Sequence, residues 1–341
     1  MTLAPSTGNP GDTLTWGTDS FLSSTITPTL FLSHTLADNV VEITNPINLN
    51  NVTRTVNVLD NTSSIYDYAK LSGVLSSTTP ASGALTKTGA GLLELSATNT
   101  YRGATTVSEG TLKVTGSIAA SSGVSVASGA TLSGSGIVPI ISGAGLVSPG
   151  ASPGILTAEQ VDPSTGLDFA FEFKALGSPD YDYVEPASSI NDVLRITDPN
   201  TPFTQALSSI NGNDAYIYFN MDVLYNGAYK GAWYTDKGSG FDGSITGATY
   251  HYYVYGDGTG PTTFNNVKYW ALTAYYPGAL VSVSTVAETA NFGLGDVHGY
   301  VTQFSVTGAV PVGGGGVIPE PAALGLVGIM LLALRGRRRN G

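Results

Sequence analysis

Acidic side chains are the first candidates for chemistry in this sequence of 341 residues. Asp180, Asp182 and Glu185 alternate closely, with Asp192 nearby. Alternating carboxylates on a strand can gather oxygen ligands around Ca²⁺, and a facing pair could divide the acid and base work of glycoside hydrolysis. A solvated acidic loop explains the same spacing and is preferred, with Ca²⁺ at Asp180, Asp182 and Glu185 kept as the single cofactor expectation. Asp257, inside Gly256-Asp-Gly-Thr-Gly, reads as a turn residue. The histidines His34, His251 and His298 lie far apart and no serine sits in a nucleophile-bearing motif, so a Ser-His-Asp hydrolase is not expected. Between Thr13 and Thr157 the charged residues that could line a catalytic groove, such as Glu94, Arg102 and Glu109, are scattered. No catalytic residue is assigned, and a non-enzyme is expected.

Aromatic side chains offer a second chemistry. Trp233, Tyr234, Tyr252, Tyr255 and Trp270 could turn flat faces toward sugar rings, with Trp233 and Trp270 leading as contacts for an exopolysaccharide. Alternation sends about half of any strand's aromatics inward, and Tyr is a good strand former, so core packing explains most of them.

The end of the chain carries a different message. Pro319, Glu320 and Pro321 form a stiff extended triplet, because each proline fixes its own φ and restricts the residue before it. An apolar run follows (Ala322, Leu324, Leu326, Val327, Ile329, Met330, Leu331, Leu332, Leu334) and then the cations Arg335, Arg337, Arg338 and Arg339. As a helix the run would extend about 20 Å, short of the roughly 30 Å hydrocarbon core, and only counting back to Val317 makes it a marginal span. Arginines after it would stay cytoplasmic, leaving everything before Val317 exported. Residues Val317 to Arg339 resemble the PEP-CTERM sorting signal of exported bacterial proteins. The resemblance implies recognition and cleavage by an exosortase in a Gram-negative bacterium, transient anchoring in the inner membrane, and delivery to the cell surface or extracellular matrix. Met1 to Gly11 does not read as a signal peptide, so a true start upstream of Met1 is expected.

Composition agrees with export. Charged residues are 11% of the chain against roughly 25% in ordinary soluble proteins, and no cysteine is present to supply disulfides or thiolate metal sites. The net charge of -11 argues against nucleic acid as a partner.

From Gly83 to Gly116 short alternating strands are separated by Gly or Asn turns. Leu85, Leu93, Leu95, Tyr101, Thr106, Leu112 and Val114 are expected to face one side. Such regular short strands suit a sandwich or a solenoid. Leu85 to Leu112 resembles the autotransporter-associated β-strand repeat in its Leu-Thr-Lys-Thr-Gly-Ala-Gly opening, its Asn-Thr-Tyr centre at Asn99 to Tyr101 and its Gly-Ala-Thr-Thr-Val and Glu-Gly-Thr-Leu close. Ser148-Pro-Gly-Ala-Ser-Pro-Gly154 resembles the turn-rich stretch that follows such repeats. The family implies a right-handed parallel β-helix, and Arg102 and Ala104, which depart from its pattern, should touch only a rung surface. Residues 1 to about 30, with Trp16, Phe21, Leu30 and Phe31, could cap one end.

The expected organisation is all-β: a parallel β-helix over 1–166, an aromatic-rich antiparallel β-sandwich-like domain over 167–312, a glycine linker at 313–316 and the sorting tail with a single hydrophobic helix over 317–341. The sandwich rests on strand-like aromatic runs and hairpin-type turns at Asn211-Gly-Asn, Asn226-Gly, Gly256-Asp-Gly and Pro277-Gly. Continuation of the solenoid is the alternative. The function expected is an exported structural protein of the surface or matrix, with an exopolysaccharide-binding module, and less readily a glycan-degrading β-helix, as alternatives.

Overall fold

In a computed structural model the described residues are 11–18, 21–23, 29–79, 82–150, 154–173, 191–197, 213–221, 224, 226–235, 248–255, 258–291 and 296–309. They form a coil whose successive turns lay one strand on each of three faces. The longest face stacks Val41–Ile43, Ala69–Leu71, Leu92–Leu95, Thr111–Val114, Thr131–Gly134, Leu146–Pro149, Asp168–Phe173, Asp214–Phe219 and Thr249–Val254, every neighbour parallel. A second face runs from Leu30–Leu32 through Arg54–Val58, Leu85–Thr88, Thr105–Val107 and Val124–Val126 to Ile141–Gly143. The third is thinner in the middle, where single bridges Thr98 to Ser117 and Ser117 to Ile137 replace strands, and thickens again at Ile155–Ala158, Val193–Ile196 and Gly227–Thr235.

Register makes this a stack of like on like. Leu93 lies beside Leu112, Leu112 beside Leu132, and Leu132 beside Val147. All four are buried, as period-two alternation on a half-buried strand demands. Each buried Leu or Val contributes about 1.5–3 kcal/mol, and no single turn encloses its own apolar residues, so stability accrues by stacking.

The repeat motif at Gly83 to Gly116 has a physical account at each of its parts. Asn99, 3% exposed, stands in for a missing strand on the thin face: its Oδ1 accepts from the Leu75 amide at 2.8 Å, and its Nδ2 donates to the carbonyls of Ala97 and Ser117. Tyr101 is buried with its hydroxyl 2.7 Å from that of Thr105, which in turn meets Ser121. One position was misread: Thr105 points inward and Thr106 outward, as alternation counted from the buried Tyr101 requires, and the chain of hydroxyls satisfies the buried Thr105 side chain. The other inward expectations, Leu85, Leu93, Leu95, Tyr101, Leu112 and Val114, are all buried. Gly89, at φ +77°, turns the chain where a Cβ would come within 2.4 Å of the Val58 carbonyl oxygen. Arg102 and Ala104 are exposed.

An antiparallel sandwich beginning at residue 167 is not what the chain forms. Asp168–Phe173, Asp214–Phe219 and Thr249–Val254 extend the longest face in parallel, and Val193–Ile196 and Gly227–Thr235 extend the third. Asn-Gly and Gly-Asp-Gly turns end a strand in either architecture, so local turn chemistry did not specify the partner strand. The composition shift near Leu167 is instead a change of filling. Aliphatic side chains give way to Phe169, Phe171, Phe173, Phe219 and Trp233, with Phe169 and Phe171 each edge-on to the Trp233 ring at 5.4 and 4.8 Å. Beyond the single bridge of Val161 to Ile141, the second face gains no further strand among the described residues.

The two ends of the described coil are built differently. Trp16 and Phe21 pack edge to face at 5.5 Å, and the buried Arg54 guanidinium lies over the Trp16 ring while donating to the carbonyls of Trp16 and Leu49. Leu14–Gly17 joins the parallel stack through Ile47–Asn48, so this segment is part of the coil itself, and Phe31, expected in the cap, is 67% exposed. At the far end Asp296–Thr307 pairs antiparallel with Gly227–Thr235 and with Leu280–Asn291, halting parallel addition.

The sorting tail, the glycine linker, Asp180, Asp182, Glu185 and Asp257 lie outside the described residues. Among the described residues no helix is long and apolar enough to cross a membrane.

Candidate functional site

Three neighbouring rows on the outer side of the longest face concentrate the polar and aromatic chemistry. On Asp214–Phe219 the residues Ala215, Ile217 and Phe219 turn into the coil, which turns Asp214, Tyr216 and most of Tyr218 outward. Parallel register then sets Asp168, Asp214 and Thr249 in one row, Ala170, Tyr216 and His251 in the next, and Glu172, Tyr218 and Tyr253 in a third. His251 Nε2 is 3.0 Å from Asp214 Oδ1, and the His251 and Tyr216 rings stack at 4.9 Å and 17°. The Asp214 amide donates to Asp168 Oδ1 at 2.9 Å. Burial raises the pKa of Asp168; the Asp214 amide opposes the rise and the Asp214 charge adds to it.

Over this surface folds a hairpin, Thr262–Phe264 against Val267–Ala271, turned by Asn265 and Asn266, whose φ of 48° and 62° both lie in the left-handed region. It brings Phe264 flat onto Tyr218 at 4.1 Å and 3°, and buries Tyr269 beneath. Burial also pushes the Tyr218 hydroxyl well above its ordinary range. Between the hairpin and the corner of the coil lies a cleft of about 420 Å³ lined by Thr131, Leu146, Asp168, Ala170, Tyr216 and Phe264 among others. Mixed polar and aromatic lining of this size suits a small ring or one unit of a polymer.

Trp233, expected to contact sugar, is 0% exposed and belongs to the core, wedged against Phe169 and Phe171. Its strand position faces inward, so no ligand reaches it in the folded coil. Tyr234 is equally buried, and Tyr252 packs toward Phe304. Trp270 is half-buried on the hairpin, its ring 6.4 Å from that of Tyr275, well separated in role from the cleft, which it does not line. Of the scattered groove candidates, Glu94 is held by Lys70 and Lys113 at 3.6 and 3.5 Å, and Glu109 accepts from the Gly89 amide. These contacts tie both carboxylates to the scaffold. His34 caps its own loop, its Nδ1 accepting from the Leu36 amide. Among the described residues no group of three or more His, Cys, Asp or Glu is placed to hold a metal ion.

The cluster of Asp214, Tyr216 and His251 was missed from sequence because His251 comes from a strand far along the chain from the one that carries Asp214 and Tyr216. Alternation within Asp214-Ala-Tyr-Ile-Tyr-Phe219 was visible; the register that sets Tyr216 beside His251 was not.

Comparison with known proteins places these residues in context. Residues 85–114 match the Passenger-associated-transport-repeat family. An extracellular serine protease of Serratia marcescens is 49% identical over 76 residues, which is 22% of this chain and only 7% of that protein. No solved structure matches at a significant level. Residues 85–114 of the chain thus form a passenger-associated transport repeat, whose strands Leu85–Thr88, Leu92–Leu95, Thr105–Val107 and Thr111–Val114 all belong to the parallel β-coil.

Proposed function

We propose that this chain is an exported bacterial structural protein, a β-coil displayed at the cell surface or in the extracellular matrix. The observation that carries the reading is the unbroken parallel stack from Val41 to Val254 with a passenger-associated transport repeat within it. A coil of this kind makes a long, stiff body without cysteine, suited to display outside the cell. The carboxylates nearest the repeat serve the scaffold, which favours a structural role over catalysis. Sorting runs through the C-terminal segment: an exosortase reads Pro319, Glu320 and Pro321, the apolar run holds the inner membrane during transit, and Arg335, Arg337, Arg338 and Arg339 stay inside.

Intact-mass measurement of the protein from cells and culture fluid tests this, with and without the combined changes Pro319→Ala, Glu320→Ala and Pro321→Ala. A surface or released form lacking the segment after the triplet, with uncleaved protein accumulating in the variant, is the expected result. A chain ending at Gly341 in both strains would reduce the tail to an anchor and sink the sorting reading.

A further inference from the structure

Two adjacent outward rows on the longest face differ in how their central aromatic ring is covered. In one, Tyr218 is sandwiched: Tyr253 stacks on it from the next turn at 4.9 Å and 16°, and Phe264, delivered by the hairpin, stacks at 4.1 Å and 3°. In the other, His251 covers one face of Tyr216, and the strand neighbour on the opposite side is the small, buried Ala170, with Tyr216 and Ala170 both lining the cleft. Strands are spaced about 4.8 Å apart, so replacing a large side chain by Ala in one row opens a slot about one ring thick. Phe264 shows within the same molecule what fills such a slot.

We infer that this cleft binds a hexopyranose unit of a neutral polysaccharide, its apolar ring face stacked on Tyr216 as Phe264 stacks on Tyr218, with hydroxyls bonded by the Asp168 carboxylate and the Thr131 hydroxyl. A sugar ring supplies both needs of the lining, a flat C–H face for the aromatic and hydroxyl donors for a carboxylate. Asp168 at the wall, with Asp214 beside it on the next strand and a net charge of -11 on the chain, selects against uronic acids and sulfated sugars. The site shares no residue with the buried Trp233 or with Trp270, and it stands whether or not the tail is processed.

Affinity electrophoresis of the full-length chain tests it, in gels containing soluble β-glucan, galactomannan or dextran, with alginate as the anionic control. Retardation by at least one neutral polymer and none by alginate is expected. Tyr216→Ala and Ala170→Leu should each weaken the apparent affinity at least about tenfold, whereas Tyr216→Phe, which keeps the ring, should bind like the parent. Ala170 is buried, so the melting temperature of that variant is taken alongside; Asp168→Asn at a half-buried position reads the polar contact independently and should also weaken binding. Absence of retardation in all three neutral gels overturns the proposal, as does equal retardation of the parent, Tyr216→Ala and Tyr216→Phe, or retardation by alginate alone.

Discussion

Lys87 is a titratable group enclosed by the repeat itself. Its ammonium is fully buried and donates to the carbonyls of Gly89 at 2.6 Å, Glu109 at 3.0 Å and Thr88 at 3.1 Å. Burial lowers its pKa to about 8, with the charges of Glu109 and Asp60 limiting the fall. An unfolded lysine titrates near 10.4, so between about pH 8 and 10.4 the folded state binds fewer protons than the unfolded one. Stability associated with Lys87 therefore rises with pH across that window, and below pH 8 the full cost of burying the charge is present. Lys87→Met should remove this alkaline gain, narrowing the difference in unfolding free energy between pH 7.5 and 9.5 by on the order of 1 kcal/mol. At neutral pH the same variant should be less stable by about 1–3 kcal/mol, because three carbonyls lose their donor. Urea midpoints of parent and variant at the two pH values check both. An equal pH response in the two proteins would show that Lys87 is not the titrating group. The lysine was visible in the Leu-Thr-Lys-Thr-Gly-Ala-Gly opening, and alternation from the inward Leu85 sets it on the inner face; what the sequence did not show is the trio of carbonyls that receives its ammonium there.

Elements differ in how firmly they belong to the stack. Strands such as Leu92–Leu95 and Thr111–Val114 are paired on both sides, whereas the hairpin Thr262–Phe264 and Val267–Ala271 is joined to the longest face only through the pairs Tyr253 with Ala271 and Val254 with Trp270. Phe264 and the buried Tyr269, both packed against Tyr218, then hold it to the surface. Phe264→Ala should cost about 1–2 kcal/mol and be felt locally, with faster hydrogen exchange at residues 262–271 and unchanged protection in the stack. Protection lost evenly across the coil would mean that the hairpin is part of one cooperative unit. The element scale is also where sequence reading divided most sharply. Short strands and their inward residues were legible from Leu85 to Val114, because the period of two is a local property. Pairing beyond Leu167 was not, because Asn226-Gly and Pro277-Gly mark where a strand stops and say nothing about whether the next one returns beside it or climbs to the next turn of the coil.

At the scale of the molecule the outer face of the early turns carries a row of alternating charge. Register aligns Glu42 with Lys70, Lys70 with Glu94 and Glu94 with Lys113. Glu94 bridges both lysines, and its side chain is only 10% exposed. Glu94→Lys would stack three like charges at strand spacing and should lower the melting temperature by a few degrees at low ionic strength, with part of the loss recovered at high salt. Differential scanning calorimetry at two salt concentrations checks this, and a salt-independent loss would assign the effect to packing. The alternation also gives the coil a parity. A stack that looped out one turn while folding would lay Lys70 against Lys113, like on like, whereas one that skipped two would again meet opposite charge. Over these turns, then, length can change by duplication or loss in pairs without disturbing the row, and single-turn errors are the ones the surface rejects.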